Sequence, residues 1–241
     1  GAYNVAMGSF ALDANTTADN NTGIGYNALS SNTTGHSNVA VGSLALDENT
    51  TTSRNTALGY NTLGATITSD ATAVGYNALA ANTTGGGNVA VGGYALDSNT
   101  TAAYNTAVGH AALTANTTGQ YNVAVGSLAL DANDTTSSNT AVGYQALTAN
   151  TAANNTAVGT NSLQDNTTGT LNVALGVQAL ANNTTGSNNT SLGVNSLYTA
   201  STASDNTAVG YLALFANTTG ASNVAVGYAA LDANTTASYN V

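Results

Sequence analysis

Asn38-Val39-Ala40-Val41-Gly42 returns seventeen residues later as Asn55-Thr56-Ala57-Leu58-Gly59, and again as Asn88-Val89-Ala90-Val91-Gly92. The phrase Asn-(Val/Thr)-Ala-(Val/Leu)-Gly recurs along the whole chain of 241 residues. It opens at Asn4, Asn21, Asn38, Asn55, Ala71, Asn88, Asn105, Asn122, Asn139, Asn155, Asn172, Asn189, Asn206 and Asn223, and once more at Asn240. Twelve steps are 17 residues long; two, Asn55 to Ala71 and Asn139 to Asn155, are 16. The consensus N-T-A-V-G-Y-N-A-L-x-A-N-T-T-G-x-x defines columns 1 to 17 of one unit.

Two columns never vary across the fourteen full units. Column 5 is Gly8, Gly25, Gly42, Gly59, Gly75, Gly92, Gly109, Gly126, Gly143, Gly159, Gly176, Gly193, Gly210 and Gly227. Column 9 is Leu12, Leu29, Leu46, Leu63, Leu79, Leu96, Leu113, Leu130, Leu147, Leu163, Leu180, Leu197, Leu214 and Leu231. Each unit therefore meets the same physical demand. A period this short cannot hold two packed helices, and Gly, Thr, Asn and β-branched residues are weak helix formers. N-T-A-V-G alternates as a strand does, with columns 2 and 4 on one side and columns 1, 3 and 5 on the other. Columns 6–9 predict a second short extended segment. N-T-T-G predicts a turn, with Asn mimicking a backbone turn and Gly free to take positive φ. The expectation is an all-β parallel β-solenoid, or β-roll, of about fourteen 16–17-residue coils, occupying 1–241 as a single repeat array. Coils stacked at ~4.8 Å would make a rod on the order of 65–70 Å long.

Stacking identical residues turns the Leu column into an apolar spine whose phase is strongly specified. The Gly column predicts a special dihedral or a close backbone approach. Asn in columns 1 and 12 predicts side-chain ladders between coils, and the two short steps predict a deletion in the outer bend. The core residues, Leu with Val or Leu at columns 2 and 4, fill only a thin roll. Ala at column 3 and Gly at column 5 would then face outward as an apolar strip suited to close approach by other copies. In the alternative, the chain is a monomeric solenoid with the Ala column facing inward.

Composition excludes several classes of function. The chain has 11 acids, one Lys or Arg (Arg54), no Cys and a net charge of −10. Nucleic-acid binding needs a basic patch, and an anionic membrane surface would repel the chain. No apolar run is long enough to span a bilayer, so no direct membrane insertion is expected. There is no disulfide framework, no Cys metal site, no Ser/His/Asp set and no recurrent carboxylate pair. The reading is a non-enzyme without metal or cofactor.

The phrase at Asn38–Gly42 and Asn223–Gly227 resembles the head repeat of trimeric autotransporter adhesins, the YadA-like heads. The longer unit N-T-A-V-G-Y-N-A-L-x-x-N-T-T-G is similar to repeat arrays of bacterial and phage tail-fibre-domain proteins. The resemblance covers all fourteen units, although the unit here is longer than in the adhesin heads. It implies a left-handed, trimeric roll that is extracellular, on a cell surface, virion or fibre. The implied role is a structural and adhesive fibre segment that contacts a surface glycan or host protein. A self-assembling extracellular filament and an ice-binding solenoid with Thr columns are the alternatives. Both ends fall inside a unit, which is expected of a segment of a longer fibre.

Three kinds of residue are candidate sites. Asn-Thr-Thr makes column 12 a run of glycan acceptors at Asn15, Asn32, Asn49, Asn82, Asn99, Asn116, Asn166, Asn183, Asn217 and Asn234, with Asn133 in Asn-Asp-Thr. The competing reading is a turn ladder. Tyr26, Tyr60, Tyr76, Tyr144, Tyr211 and Tyr228 in column 6 are contact aromatics for sugars or proteins, or packing between coils. Tyr3, Tyr104, Tyr121 and Tyr239 precede the phrase. Asp13, Asp47, Asp97, Asp131 and Asp232 in column 10 lack a calcium loop and read as solvated acids. His36 and His110 stand alone in their columns.

Overall fold

A computed structural model describes residues 1–241. It is all-β, with fourteen three-residue strands and no helix. A first compact unit, Gly1–Tyr121, holds β1 (Val5–Met7), β2 (Thr22–Ile24), β3 (Val39–Val41), β4 (Thr56–Leu58), β5 (Thr72–Val74), β6 (Val89–Val91) and β7 (Thr106–Val108). A second, Asn122–Val241, holds β8 (Val123–Val125), β9 (Thr140–Val142), β10 (Thr156–Val158), β11 (Val173–Leu175), β12 (Thr190–Leu192), β13 (Thr207–Val209) and β14 (Val224–Val226). Within each unit, strands adjacent in the chain pair in parallel. Val39 lies beside Thr56, seventeen residues on. Thr56 beside Thr72 and Thr140 beside Thr156 are the steps of sixteen. Each unit is a parallel β-solenoid with one strand per coil.

Each strand ends at the Gly column. Its φ lies between 127° and 143° in every coil, a region that side chains rarely adopt. A Cβ on Gly42 would also run into the Gly59 carbonyl of the next coil. Both reasons expected for the invariant glycine hold at once. Columns 6–9 do not form the second extended segment that their sequence predicts. They make a tight turn, with columns 7 and 9 left-handed: Asn27 has φ 55° and Leu29 φ 53°. The Ala45 N–H donates back to the Gly42 carbonyl at 3.4 Å, as turn geometry requires.

This turn explains why column 9 is Leu and never Val or Ile. Its φ is 48–56° in all fourteen coils. A branched Cβ is strongly disfavoured there, and Leu is a large aliphatic residue without one. From Leu29 to Leu214 these side chains have no solvent exposure, so the expected spine is present in both units.

Two asparagines close most coils; Ala71 in column 1 and Thr66 and Ala200 in column 12 are the exceptions. The column 1 and column 12 amides, Asn21 and Asn32, both donate to the Gly35 carbonyl in column 15, at 2.8 and 2.9 Å. Their oxygens bond to the next coil. Asn21 Oδ1 accepts from the Asn38 backbone N–H at 2.9 Å, and Asn32 Oδ1 from the Asn49 amide at 3.1 Å. An aspartate offers no amide donor, so it could not replace Asn at either place without losing these bonds. The 16-residue coils omit column 14. Ile67 and Thr151 keep the column 13 backbone bond, to Thr83 and Thr167. The Asn150 amide then reaches its carbonyl, on Ala152, two residues ahead instead of three. The deletion falls in the outer bend, as the spacing predicts.

The strand faces are reversed from the favoured expectation. Column 3 Ala points inward: Ala40, Ala57, Ala73, Ala90 and Ala107 are fully buried. Opposite them lies column 8, because the Ser191 hydroxyl in column 3 donates to the Ser196 carbonyl in column 8 at 2.8 Å. The turn at columns 7–9 brings the chain back so close that only Ala-sized residues fit between strand and turn. Val and Thr of column 2 and Val, Leu or Ile of column 4 therefore face out. The outward Ala–Gly strip is overturned, and the Ala-inward arrangement is the one present.

Candidate contact surface

The surface has no cavity, and no three His, Cys, Asp or Glu side chains are close enough to share a metal. His36 is exposed beside the Ser37 hydroxyl, and His110 packs edge-on to Tyr94. What the coils do assemble is surface.

The outward strand face carries Val or Thr at column 2 and Val, Leu, Ile or Met at column 4. Val39, Val89 and Val173 are 36–39% exposed, and Leu175 is 51% exposed. Thr22, Thr56, Thr72, Thr106, Thr140, Thr156, Thr190 and Thr207 stand among them, and no protein group accepts from or donates to their hydroxyls. The bend threonines differ. Thr33 donates to the Thr50 carbonyl at 3.0 Å, Thr83 to Thr100 at 2.9 Å, and Thr167 to Thr184 at 2.8 Å. A Thr column in the bend is thus spent on the backbone of the next coil, whereas the strand Thr hydroxyls remain free.

Charge is segregated along each coil. All eleven acids and Arg54 lie in columns 10–17, and columns 1–9 carry no acid, Lys or Arg in any coil. Desolvation by partial burial raises the carboxyls of Asp47, Asp97 and Asp131 above the usual carboxylate range. Arg54 and Asp70 form an exposed two-point ion pair, at 2.6 and 2.8 Å. The Arg54 hydrogen bonds hold the Asp70 carboxyl below its ordinary value.

The candidate glycan acceptors are the coil-closing amides. Asn32, Asn49, Asn82, Asn99, Asn116, Asn133, Asn166, Asn183 and Asn217 are fully buried. Asn15 and Asn234, in the terminal coils, are partly exposed, but their amides are bonded to Ala18 and to Asn217 and Ala237. A glycan on these nitrogens would replace a hydrogen that the ladder uses and would force the side chain out of the coil. The geometry favours the ladder reading of Asn-Thr-Thr.

The tyrosines are exposed but turned on one another. Tyr60 and Tyr76 stack at 5.4 Å and 12°, and Tyr76 meets Tyr94 edge-on at 5.2 Å. Tyr26 meets Phe10 edge-on, and Tyr211 stacks on Tyr228. Tyr144 lies between Ser127 and Thr160 of the neighbouring coils and has no ring partner. A stacked ladder spends its faces on itself and shows edges and hydroxyls to solvent. Sequence reasoning passed over Tyr198 and Phe215, which stack at 5.5 Å and 6° from column 10. Their common column was the available signal. It also missed the charge segregation, which is visible once the residues are sorted by column.

The fold and surface define the class, a repetitive parallel β-solenoid with an uncharged outward strand face. Beyond that class, comparison with protein-family models, curated proteins and solved structures gives no match.

Proposed function

We propose that the chain is a structural and adhesive segment of an extracellular fibre, in which copies pack their outward strand faces together as a trimer. The observation that carries this reading is the charge segregation. A chain of net charge −10 repels its own copies, yet columns 2 and 4 are uncharged in every coil and every formal charge lies in columns 10–17. Copies that meet through columns 2 and 4 would bury Val and Leu while their acids stay in water. The threefold number, and a place on a cell surface, virion or fibre, come from the likeness of the repeat phrase to adhesin heads and tail-fibre arrays. Contact with a surface glycan or host protein would fall to the tyrosine edges and the bends. Repetition suits such a role, because each coil needs only its neighbours and length adds no new folding problem.

Native mass spectrometry tests the assembly. Three chains are expected, and a single chain at micromolar concentration overturns it. A second reading is favoured by one specific observation, the eight strand threonines whose hydroxyls have no protein partner. Regularly spaced hydroxyls among methyl groups suit an ordered water lattice, as on ice. Thermal hysteresis from a monomeric chain would select that reading, and a trimer without hysteresis would remove it.

A further inference from the structure

The chain has no Cys, and its single cation is Arg54, so neither a disulfide nor a lysine-derived bond can tie its coils together. It has 12 Tyr. Tyr104 and Tyr121 occupy column 17 of adjacent coils, with ring centroids 5.6 Å apart and planes only 3° from parallel. Both rings are well exposed, at 62% and 59%. On its other side Tyr104 lies over Gly87, whose φ of +68° and missing side chain make the room; a Cβ there would come within 2.9 Å of Tyr104 Cδ1. Backbone and ring therefore hold Tyr104 from both sides. Two phenols are thus kept in register face to face, with their ring edges and hydroxyls open to solvent and to any oxidant in it.

We propose that the stacked tyrosine pairs, Tyr104–Tyr121 foremost, are sites of oxidative coupling that staple adjacent coils through a dityrosine bond. Each phenol loses one electron and one proton to become a phenoxyl radical. The radicals combine at the ring carbons ortho to oxygen, forming one Cε–Cε bond. The two hydrogens displaced from those carbons pass to the oxygens as the rings regain aromaticity. Two protons and two electrons leave in total, and a haem peroxidase with hydrogen peroxide takes them up, giving two molecules of water. Stacking favours the step because the second radical forms beside the first and needs no diffusional encounter. Bond formation requires the rings to turn out of the face-to-face stack about their side-chain bonds, and their exposure to solvent leaves room for that turn. Tyr60–Tyr76, at 5.4 Å and 12°, is open to the same reaction. The Tyr104–Tyr121 product closes a loop between residues seventeen positions apart and so restricts the unfolded chain. This is a covalent hardening that the sequence cannot obtain from cysteine.

The intact protein is treated with peroxidase and hydrogen peroxide over a dilution series, then digested and mapped by mass spectrometry. The expected product is a linked peptide pair containing Tyr104 and Tyr121, two hydrogens lighter than its parts. Its yield should not change on dilution, and it should show the blue emission of dityrosine. Tyr104→Phe and Tyr121→Phe should each abolish that product while circular dichroism stays unchanged, because Phe preserves the stack. Tyr198–Phe215, an equally close stack with one hydroxyl, should yield no link. The treated wild type should melt at a higher temperature, and the treated Tyr104→Phe variant should lack the share of that rise due to this link. Links that involve unpaired Tyr144 as often as Tyr104, or that vanish on dilution, would overturn the proposal. Neither result bears on the number of chains in the fibre, which native mass reads separately.

Discussion

The two sides of one strand obey different rules. On the inner side, nearly every amide and every volume is committed. Column 1 Asn bonds up and across, column 3 admits little beyond Ala, and the Leu spine behind them is dry. On the outer side, columns 2 and 4 alternate between Val, Thr, Leu and Ile, and the Thr hydroxyls have no protein partner. Uniformity within this chain therefore reports what a coil needs in order to close. The columns that drift while remaining uncharged are the ones on which the proposed contact rests. Repetition alone points to the Leu and Gly columns, whose demands are packing and backbone geometry.

The comparison breaks most visibly from inside. Asn99 donates to Asn82 Oδ1 at 2.7 Å and to the Ala102 carbonyl at 3.1 Å, and its own oxygen accepts from Asn116 at 3.1 Å. Asn99→Asp is isosteric but loses both donors and buries a charge. We expect a loss of about 3–5 kcal/mol in urea denaturation at neutral pH. A loss below about 1 kcal/mol would mean that the ladder is decorative. Next comes Leu147→Ile, which conserves volume and changes only the branching at a residue with φ 54°. It should cost about 2 kcal/mol, while Leu147→Met should cost less than about 1.5 kcal/mol. Equal losses would attribute the Leu column to packing alone.

The ladder can also be repaired. Coil Asn189–Asp205 has Ala200 in column 12, and the Asn183 oxygen, buried beside it, has no partner. Ala200→Asn would supply a donor to Asn183 and to the Ala203 carbonyl, and an acceptor for Asn217. A gain of about 1 kcal/mol is expected, read as a higher urea midpoint. A loss would show that the coil has repacked around alanine.

How much of this was legible in the sequence follows from the same asymmetry. Period, coil boundaries, the Leu spine and the Asn ladders are fixed by demands that recur in every unit, so sorting residues by column exposes them. The deletion in the bend was legible because Asn139-Thr140-Ala141-Val142-Gly143 is intact upstream of it. The facing of the strand was not. Alternation shows that columns 2 and 4 oppose column 3, but it does not say which side is inside. Hydrophobicity favours Val inside. The left-handed turn at Asn27 and Leu29 decides for Ala, by bringing the returning chain within a methyl group's reach. Asn in column 7 tolerates a left-handed position, but Leu, Tyr, Ala, Gln and Phe stand there in other coils and Leu in column 9 carries no such preference, so the turn was masked. The tyrosine stacks were half legible, because a shared column predicts proximity but not whether ring faces are free.

The outer side is tested by changes that leave the coil alone. Val91→Asp and Val108→Asp lie on adjacent strands, on the outward face, at half-buried positions. Each should cost the monomer about 1 kcal/mol, and together they should reduce the native mass from the three chains of the proposed assembly to one. If the doubly substituted chain still assembles, the assembly face is elsewhere. If it unfolds, the outward placement of column 4 is wrong.

The smallest effect separates two kinds of acid. Asp47, Asp97 and Asp131 have raised carboxyl pKa values because partial burial penalises their charge. Their stabilising contribution is therefore present below the ordinary carboxylate range, near about pH 4, and is lost as pH rises through their folded values. Asp70 has the opposite sign. Its pKa is lowered by Arg54, so its contribution is present at neutral pH and lost on acidification. With three groups of one sign against one exposed pair, the urea midpoint should rise slightly as pH falls from neutrality. Converting Asp47, Asp97 and Asp131 to Asn should flatten that rise. Converting the exposed Asp13, Asp165 and Asp232 to Asn removes the same net charge and should leave more of the rise in place. If the two triple variants respond identically, relief of overall repulsion in a chain of net charge −10 is the cause, and burial at column 10 has no part in it.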